Sequence, residues 1–274
     1  MSPRPLGQHF LTDRTAISKI IAAADIKEDD LILEIGPGRG AITTELAKRA
    51  RLVKAVELDS FLAENLPQLP NLQVIQGDFL KQNLPEILGT CLPDSTQMQN
   101  GTKRWKVVAN LPYYITTPII EKLLLEGTPY IETLIIMIQK EVADRIQSLA
   151  CRESGALSYF VGYYAQAKTL FKVKPGCFSP PPKVDSSVMA LHIYPEPIVR
   201  ASSRDYLRVT RTAFGMRRKT LRRSLSALAV QQGVDIEQVL QKAGINPSSR
   251  PEELTIAQFS DLAEALYPVP DERK

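Results

Sequence analysis

The sequence predicts an α/β fold: a parallel sheet covered by helices on both faces, followed by a small all-α domain. Short apolar runs alternate with amphipathic helical stretches from Leu31 to about Tyr164, the pattern of strands joined by helical crossovers. Beyond Pro197 the strand signal stops and only helical periodicity remains. A chain of 274 residues can fill one large domain and a smaller one. The expected division is residues 1–197 and 198–274.

Each element has a local reason. Asp13 caps a helix that carries Ile17, Ile20, Ile21 and Ala24 on one face. Leu31–Ile35 reads as a buried strand, and residues 41–49 as a helix with Ile42 and Leu46 inward. Leu52–Glu57 is a second strand, followed by a helix over 60–66; Leu72–Gln76 and residues 106–109 are further strands. Thr117-Pro118 opens a helix, because Pro suits the first helical position. Residues 133–139 form a strand, and 141–146 and 154–164 are helical. Residues 167–173 and 186–194 read as a last strand pair, the second of which can run antiparallel, joined by the Pro-rich loop 175–183. The polar stretch 82–104 reads as an exposed insertion with one helical turn. Residues 204–230, 236–243 and 256–267 are helical.

Composition excludes several classes. With 44% hydrophobic and 23% charged residues the chain is neither disordered nor fibrous. A net charge of +4 permits a nucleic-acid partner without demanding one, so the placement of charge matters more. Cys91, Cys151 and Cys177 are odd in number and far apart, and only His9 and His192 could join them. The expectation is free thiols in a reducing cytosol and no metal site. The N-terminal Met-Ser-Pro-Arg-Pro lacks the apolar stretch of a secretory signal, and the longest apolar run, 134–138, is far too short to span a bilayer. A cytoplasmic protein with no membrane partner is expected.

Glu34-Ile35-Gly36-Pro37-Gly38-Arg39-Gly40 follows a strand and opens a helix. Glycines there let the backbone turn sharply and approach a ligand closely. The G-x-G-x-G spacing differs from the dinucleotide fingerprint. Two acids follow in order. Glu57 ends the second strand, where a carboxylate can accept both ribose hydroxyls of a nucleoside. Asp78, in Gly77-Asp78-Phe79, follows the third, where it can accept from an adenine amine. An acid at a strand end can instead be a cap or a solvated turn. In this order the three loops favour an adenosine-containing cofactor over a nicotinamide.

Asn110-Leu111-Pro112-Tyr113 follows the fourth strand. An amine conjugated to a heterocycle is a poor nucleophile, because its lone pair is delocalised. The Asn110 side-chain oxygen and a backbone carbonyl near Leu111 or Pro112 can accept its two N–H groups and aim the lone pair at a sulfonium methyl. Tyr113 can stack on the base. The gain is positioning and stabilisation of growing positive charge, and no strong general base is needed. The competing reading is a turn with a buried tyrosine. Phe178, in the stiff loop 175–183, can cover the opposite face of a flipped base or plug the core beneath that loop. Lys183 can meet a phosphate or stay solvated.

These residues carry a resemblance. Gly7-Gln8-His9-Phe10-Leu11, the segment from Glu34 to Gly40, Val56-Glu57-Leu58-Asp59, Gly77-Asp78-Phe79, residues 110–116, Gln139-Lys140-Glu141-Val142 and residues 178–188 resemble the KsgA-type ribosomal RNA adenine dimethyltransferases over nearly the whole chain. The resemblance implies a Rossmann-like sheet binding S-adenosylmethionine. It implies dimethylation of the N6 amines of two adjacent adenosines near the 3′ end of small-subunit (16S) ribosomal RNA, on a subunit precursor and so in ribosome assembly. Carried over by position, His9, Leu11, Gly36, Glu57, Asp78 and Asn110 line the cofactor site, and Asn110, Tyr113 and Phe178 hold the adenine. His9 stands where the family usually has Asn, Tyr114 where many members have Asn, and the 82–104 insertion is longer than usual.

The segment 200–223 carries Arg200, Arg204, Arg208, Arg211, Arg217, Arg218, Lys219, Arg222 and Arg223 against Asp205 alone. A charge run can be a solvated face. Concentrated within a few helical turns, this one points to phosphate contact, with Lys183, Arg211, Arg217, Arg218, Lys219, Arg222 and Arg223 as candidates. A monomer is expected. The rival readings are a large-subunit ribosomal RNA or DNA adenine methyltransferase, and a non-catalytic RNA-binding assembly factor.

Overall fold

The computed structural model describes residues 8–89 and 105–267. Gly7, Cys91 and the greater part of the 82–104 stretch lie outside the described residues.

Seven strands form one sheet in the order β4-β3-β2-β5-β6-β9-β7. β2 (Leu31–Ile35), β3 (Leu52–Glu57), β4 (Leu72–Gln76), β5 (Trp105–Asn110) and β6 (Ile131–Gln139) run parallel in register. β9 (Ser186–Ile193) returns antiparallel to β6, with Gln139 opposite Ser186, and β7 (Ala165–Val173) closes that edge. The last strand pair therefore takes the antiparallel option left open by the sequence. β2 is buried along its whole length. Ile32, Val53, Val108, Ile135 and Val188 face one cluster with Ile20, Ile21 and Ala24 of α1 (Arg14–Ala24), while Leu33, Val107, Leu134 and Met189 are buried between them in sequence. Both sheet faces are thus covered, as a parallel sheet requires.

The helices agree with the sequence at their starts more closely than at their ends. The Asp13 side chain accepts from the Ala16 N–H at 2.7 Å and starts α1. α2 covers Thr43–Ala47 and α3 covers Ser60–Glu64, the latter capped by Asp59. α5 begins at Thr116 and runs to Gly127, after a 3-10 turn over Tyr113–Ile115. The expected exposed insertion is corrected at its start. α4 (Leu84–Gly89) buries Leu84 and Leu88 completely, because Lys54 Nζ donates to the Ile87 carbonyl at 2.6 Å and Trp105 Nε1 to the Leu88 carbonyl at 2.9 Å.

The chain forms two compact units, one of Met1–Ala143 with Gln166–Ile193, the other of Asp144–Ala165 with Tyr194–Lys274. The expected boundary at 197 therefore misses a segment. α7 (Ala156–Tyr164) belongs with the C-terminal helices because its aromatic face completes their core. Tyr159 meets Phe259 edge-on at 4.8 Å, Tyr163 meets Tyr206 at 4.7 Å, and the Tyr159 hydroxyl donates to the Leu254 carbonyl. Such ring pairs add about 0.5–1.5 kcal/mol each beyond burial. The expected continuous helix over 204–230 is broken: α8 (Ser203–Gly215) ends before the turn 216–220, and α9 (Leu221–Gln231) follows. α10 (Ile236–Lys242) and α11 (Ile256–Leu266) complete the unit. Among the described residues, no helix is long and apolar enough to cross a membrane.

Candidate active site

The strand order reverses beside β2, with β3 on one flank and β5 on the other. Side chains and loops at the carboxyl ends of these strands leave a crevice there, the usual ligand position in an open α/β sheet. In this chain the crevice is a cavity of about 730 Å³. Its lining includes His9, Leu11, Gly36, Glu57, Asp78, Asn110, Leu111, Pro112 and Tyr113. Nine of the residues singled out in sequence are therefore brought together, from five separate segments.

The glycine loop is shaped for close approach. Gly36 and Gly38 have φ of +68° and +59°, a region that costs an L side chain energy. A Cβ on Gly38 would stand 3.1 Å from the Phe10 ring, which also carries the Arg39 guanidinium 4.5 Å from its centroid. The loop is held from below by Glu57. Its Oε2 accepts from the Gly38 N–H at 2.9 Å, and its Oε1 accepts from the Asp59 N–H at 3.0 Å. A carboxylate has about four lone-pair positions, so both oxygens keep capacity for ligand hydroxyls. Asp78 is half-buried. Its Oδ1 caps the next turn through the Leu80 N–H at 3.0 Å, and Lys81 Nζ lies 3.9 Å from Oδ2. The capping reading and the ligand reading are thus compatible at this residue.

Glu34 was part of the glycine motif but not singled out by itself. It is 2% exposed, lines the cavity, and its Oε2 has no hydrogen-bond partner. Burial pushes its pKa from 4.5 up to about 8, the Thr43 hydroxyl offsets part of that, and the nearby Glu57 charge adds to it. The signal was present in sequence: an acid inside the apolar run Leu-Ile-Leu-Glu-Ile.

The Asn110 segment is set by its backbone. The Leu111 N–H donates to the Met137 carbonyl at 3.1 Å, fixing the turn to the neighbouring strand. Asn110 Nδ2 donates to the His9 carbonyl at 3.2 Å, which orients the amide and leaves Oδ1 as its remaining acceptor. The Pro112 carbonyl is taken by the Ile115 N–H at 3.2 Å and the Thr116 hydroxyl at 3.1 Å. Of the two carbonyls considered as a second acceptor, Leu111 is therefore the better placed. The Tyr113 hydroxyl lies 2.6 Å from Ser186 Oγ, and its ring centroid is 5.8 Å from that of His9. His9 Nδ1 donates to the Pro180 carbonyl at 2.8 Å.

Phe178 is expected either over a base or as a core plug. It is 4% exposed, does not line the cavity, and packs in the cluster with Leu11, Val173 and Val188. β1 (Phe10–Leu11) pairs with β8 (Phe178–Ser179), placing Leu11 opposite Phe178 and turning the ring into the core beneath the loop. Burying that much apolar surface decides its orientation. Lys183 is exposed.

In the second unit the basic candidates divide. Arg217 donates to the Arg152 carbonyl, Arg222 pairs with Glu237 at 3.1 Å, and Arg211 lies 5.9 Å from the Phe160 centroid. Arg218, Lys219 and Arg223 are exposed at the turn and the first turn of α9. No group of side chains among the described residues has the makings of a metal site.

The geometry fits the comparisons. The family model described as ribosomal RNA adenine dimethylase matches residues 3–267. Proteins named ribosomal RNA small subunit methyltransferase A from Clostridium botulinum (strain Okra / Type B1) and Clostridium perfringens (strain SM101 / Type A) are 42% identical over 96% of this chain, covering 94% and 90% of their own lengths. A dimethyladenosine transferase from Plasmodium falciparum has a TM-score of 0.73 at 25% identity, over 93% of this chain and 96% of that one. The 23S rRNA methyltransferase ErmE has a TM-score of 0.68 at 28% identity, over 94% and 99%. The glycine cradle, the ordered acids and the oriented Asn110 are accounted for together: the chain belongs to the ribosomal RNA adenine dimethylase family, enzymes that use S-adenosylmethionine.

Proposed function

We propose that this protein dimethylates the N6 amines of two adjacent adenosines near the 3′ end of small-subunit ribosomal RNA, on a subunit precursor, acting as a cytoplasmic monomer. The observation that carries the chemistry is the orientation of Asn110: its amide nitrogen is committed to the His9 carbonyl, so its oxygen is the acceptor offered to the cavity. The small-subunit address rests on the names of the relatives at 42% identity, against 28% for the large-subunit enzyme.

S-adenosylmethionine supplies an electrophilic methyl on a sulfonium centre. Glu57 would accept from the ribose hydroxyls of the bound cofactor and Asp78 from its adenine amine, Gly36 would let the backbone approach, and His9 and Leu11 would wall the site. Asn110 Oδ1 and the Leu111 carbonyl accept the two N–H groups of the target amine, and Pro112 fixes the turn that presents them. Tyr113 stacks on the base. This arrangement positions the nitrogen for in-line attack and stabilises the charge that grows on it. The proton leaves afterwards to water. Arg218, Lys219 and Arg223, with Lys183 on the catalytic unit, meet phosphates and position the RNA without reading its sequence. Arg211, Arg217 and Arg222 contribute less, being engaged by Phe160, the Arg152 carbonyl and Glu237.

The test offers labelled cofactor to naked small-subunit RNA, immature small subunits and mature ones, then maps the product. Methylation of adjacent adenosines in the immature particle is expected. Product confined to large-subunit RNA or DNA overturns the address, and an Asn110→Ala variant that methylates at the normal rate overturns the acceptor assignment. A purely structural assembly factor would methylate none of the three.

A further inference from the structure

The Tyr113 ring is held at its far end. Its hydroxyl lies 2.6 Å from the hydroxyl of Ser186, the first residue of β9, and Ser186 is fully buried. Ser186 itself does not line the cavity. It sits opposite Gln139 at the end of the β6–β9 ladder, so its backbone is fixed by the sheet. The neighbouring Ser187 hydroxyl is also buried yet completes no hydrogen bond. A serine at this strand end therefore does not find a partner automatically; Ser186 has one because it reaches Tyr113.

A tyrosine ring has two torsions, and its hydroxyl oxygen lies on the axis of the second, so holding the tip fixes where the ring axis points and hence where the stacking face stands. Burial raises the Tyr113 pKa above the usual phenol value, and the Ser186 bond only partly offsets this. The phenol thus keeps its proton, so its hydroxyl serves geometry and not proton transfer. On the other side, the His9 ring stands 5.8 Å away at a 33° tilt, which limits rotation in that direction.

We propose that Ser186 is a positioning residue for methyl transfer: by hydrogen-bonding the Tyr113 hydroxyl it holds the ring axis in place, and with it the face against which the target adenine stacks. The inference rests on the reading of Tyr113 as the stacking platform. It predicts that the hydroxyl pair matters to the chemical step and not to cofactor binding, because misaligned attack lowers rate while leaving the cofactor cradle intact.

The experiment compares Ser186→Ala, Tyr113→Phe, the double variant, Ser186→Thr and Tyr113→Ala. Readouts are cofactor affinity, single-turnover methylation at saturating RNA, and quenching of 2-aminopurine placed at the target adenosine. Ser186→Ala and Tyr113→Phe should each slow the single turnover by about threefold to tenfold, as expected for loss of one hydrogen bond. Both should weaken the quench and leave cofactor affinity unchanged. The double variant should be no slower than the slower single, since both remove the same bond, and Ser186→Thr should recover part of the rate. If the two single effects multiply in the double variant, or if Tyr113→Phe matches the parent protein, the proposal is overturned. Tyr113→Phe decides the matter even where a serine variant fails to fold. A Tyr113→Ala variant with full rate and full quench would refute the platform reading itself. An impaired Tyr113→Ala beside normal Ser186→Ala and Tyr113→Phe would refute only the role of Ser186.

Discussion

Replacing Glu34 with Gln should stabilise the catalytic unit by an amount that grows with pH. Glu34 is 2% exposed, and its carboxyl titrates near 8 in the folded chain against an ordinary value of 4.5. Below pH 4.5 both folded and unfolded chains carry the proton, and ionisation of the site contributes nothing to stability. Between 4.5 and about 8 the unfolded chain has released that proton while the folded one still binds it. The unfolded state then binds fewer protons, so stability falls as pH rises. Each pH unit in the window removes about 1.4 kcal/mol, and the full window accumulates to about 5 kcal/mol. Glutamine does not titrate, so whatever fixed cost its amide incurs in the same space is independent of pH. The difference between the two proteins should therefore sit near that fixed offset at pH 5 and move in favour of the glutamine as pH rises, to its maximum near pH 8. Trp105 is the sole tryptophan, fully buried on β5 next to β2, so its fluorescence in urea titrations reports this unit. A stability difference that stays flat from pH 5 to 8 would show that Glu34 is ionised in the folded chain, and the reasoning would fail. Glu57→Gln supplies a control: without the neighbouring charge, the upper edge of the Glu34 window should fall to lower pH.

Asn110→Ala should lower the single-turnover rate by roughly a hundredfold, the size found when one preorganised catalytic hydrogen bond is lost, with Trp105 emission unchanged. Gly38→Ala should weaken cofactor binding, since a Cβ meets the Phe10 ring at 3.1 Å on a backbone with φ of +59°; equilibrium dialysis would read a loss of about tenfold or more, and unaltered affinity would refute the cradle. Replacing Arg218, Lys219 and Arg223 together with Ala should weaken RNA binding and flatten its dependence on log salt by about two to three in slope. Arg222→Ala, which also breaks the Glu237 pair, should change the slope by less than one, as a filter-binding salt series would reveal.

The sheet was legible because its strands are short apolar runs bounded by turn residues, and the crossover helices carry their apolar positions at helical spacing. What sequence misplaced has physical causes. The unit boundary at 197 missed α7 because nothing local says that Tyr159, Phe160 and Tyr163 will pack with Tyr206 and Phe259, far along the chain. Helical propensity continues through the turn 216–220 because Met, Arg and Lys are good helix formers, although Gly215 at the end of α8 is a local stop signal. Phe178 had two readings, a base stack or a core plug. Pairing between residues 10–11 and 178–179 sets its ring among Leu11, Val173 and Val188, and such long-range pairing leaves no local trace. That Glu57 and Asp78 line one crevice was legible because order along a doubly wound sheet fixes where each strand end opens.

The orientation of Asn110 shows how a site can depend on a segment that never touches the reacting atoms. The amide has two ends, and only the oxygen end can accept from an amine. What selects that end is the His9 carbonyl, which accepts from Nδ2. That carbonyl is held in turn by the His9 ring on the Pro180 carbonyl and by the N–H groups of Thr12 and Asp13 on the Cys177 carbonyl at 2.9 and 3.2 Å. An Asn110→Asp variant separates acceptor from anchor. It keeps an oxygen for the target amine but sets a second one against the His9 carbonyl, where two acceptors repel and one lacks a donor. If Asn110 served only as an acceptor, Asp would match or exceed it, since a negative acceptor stabilises a nitrogen that is becoming positive. If orientation through His9 matters, Asp should be nearly as slow as Ala in single-turnover methylation. A rate for Asn110→Asp equal to that of the parent protein would remove the His9 carbonyl from the mechanism and leave the amide free to choose its own direction.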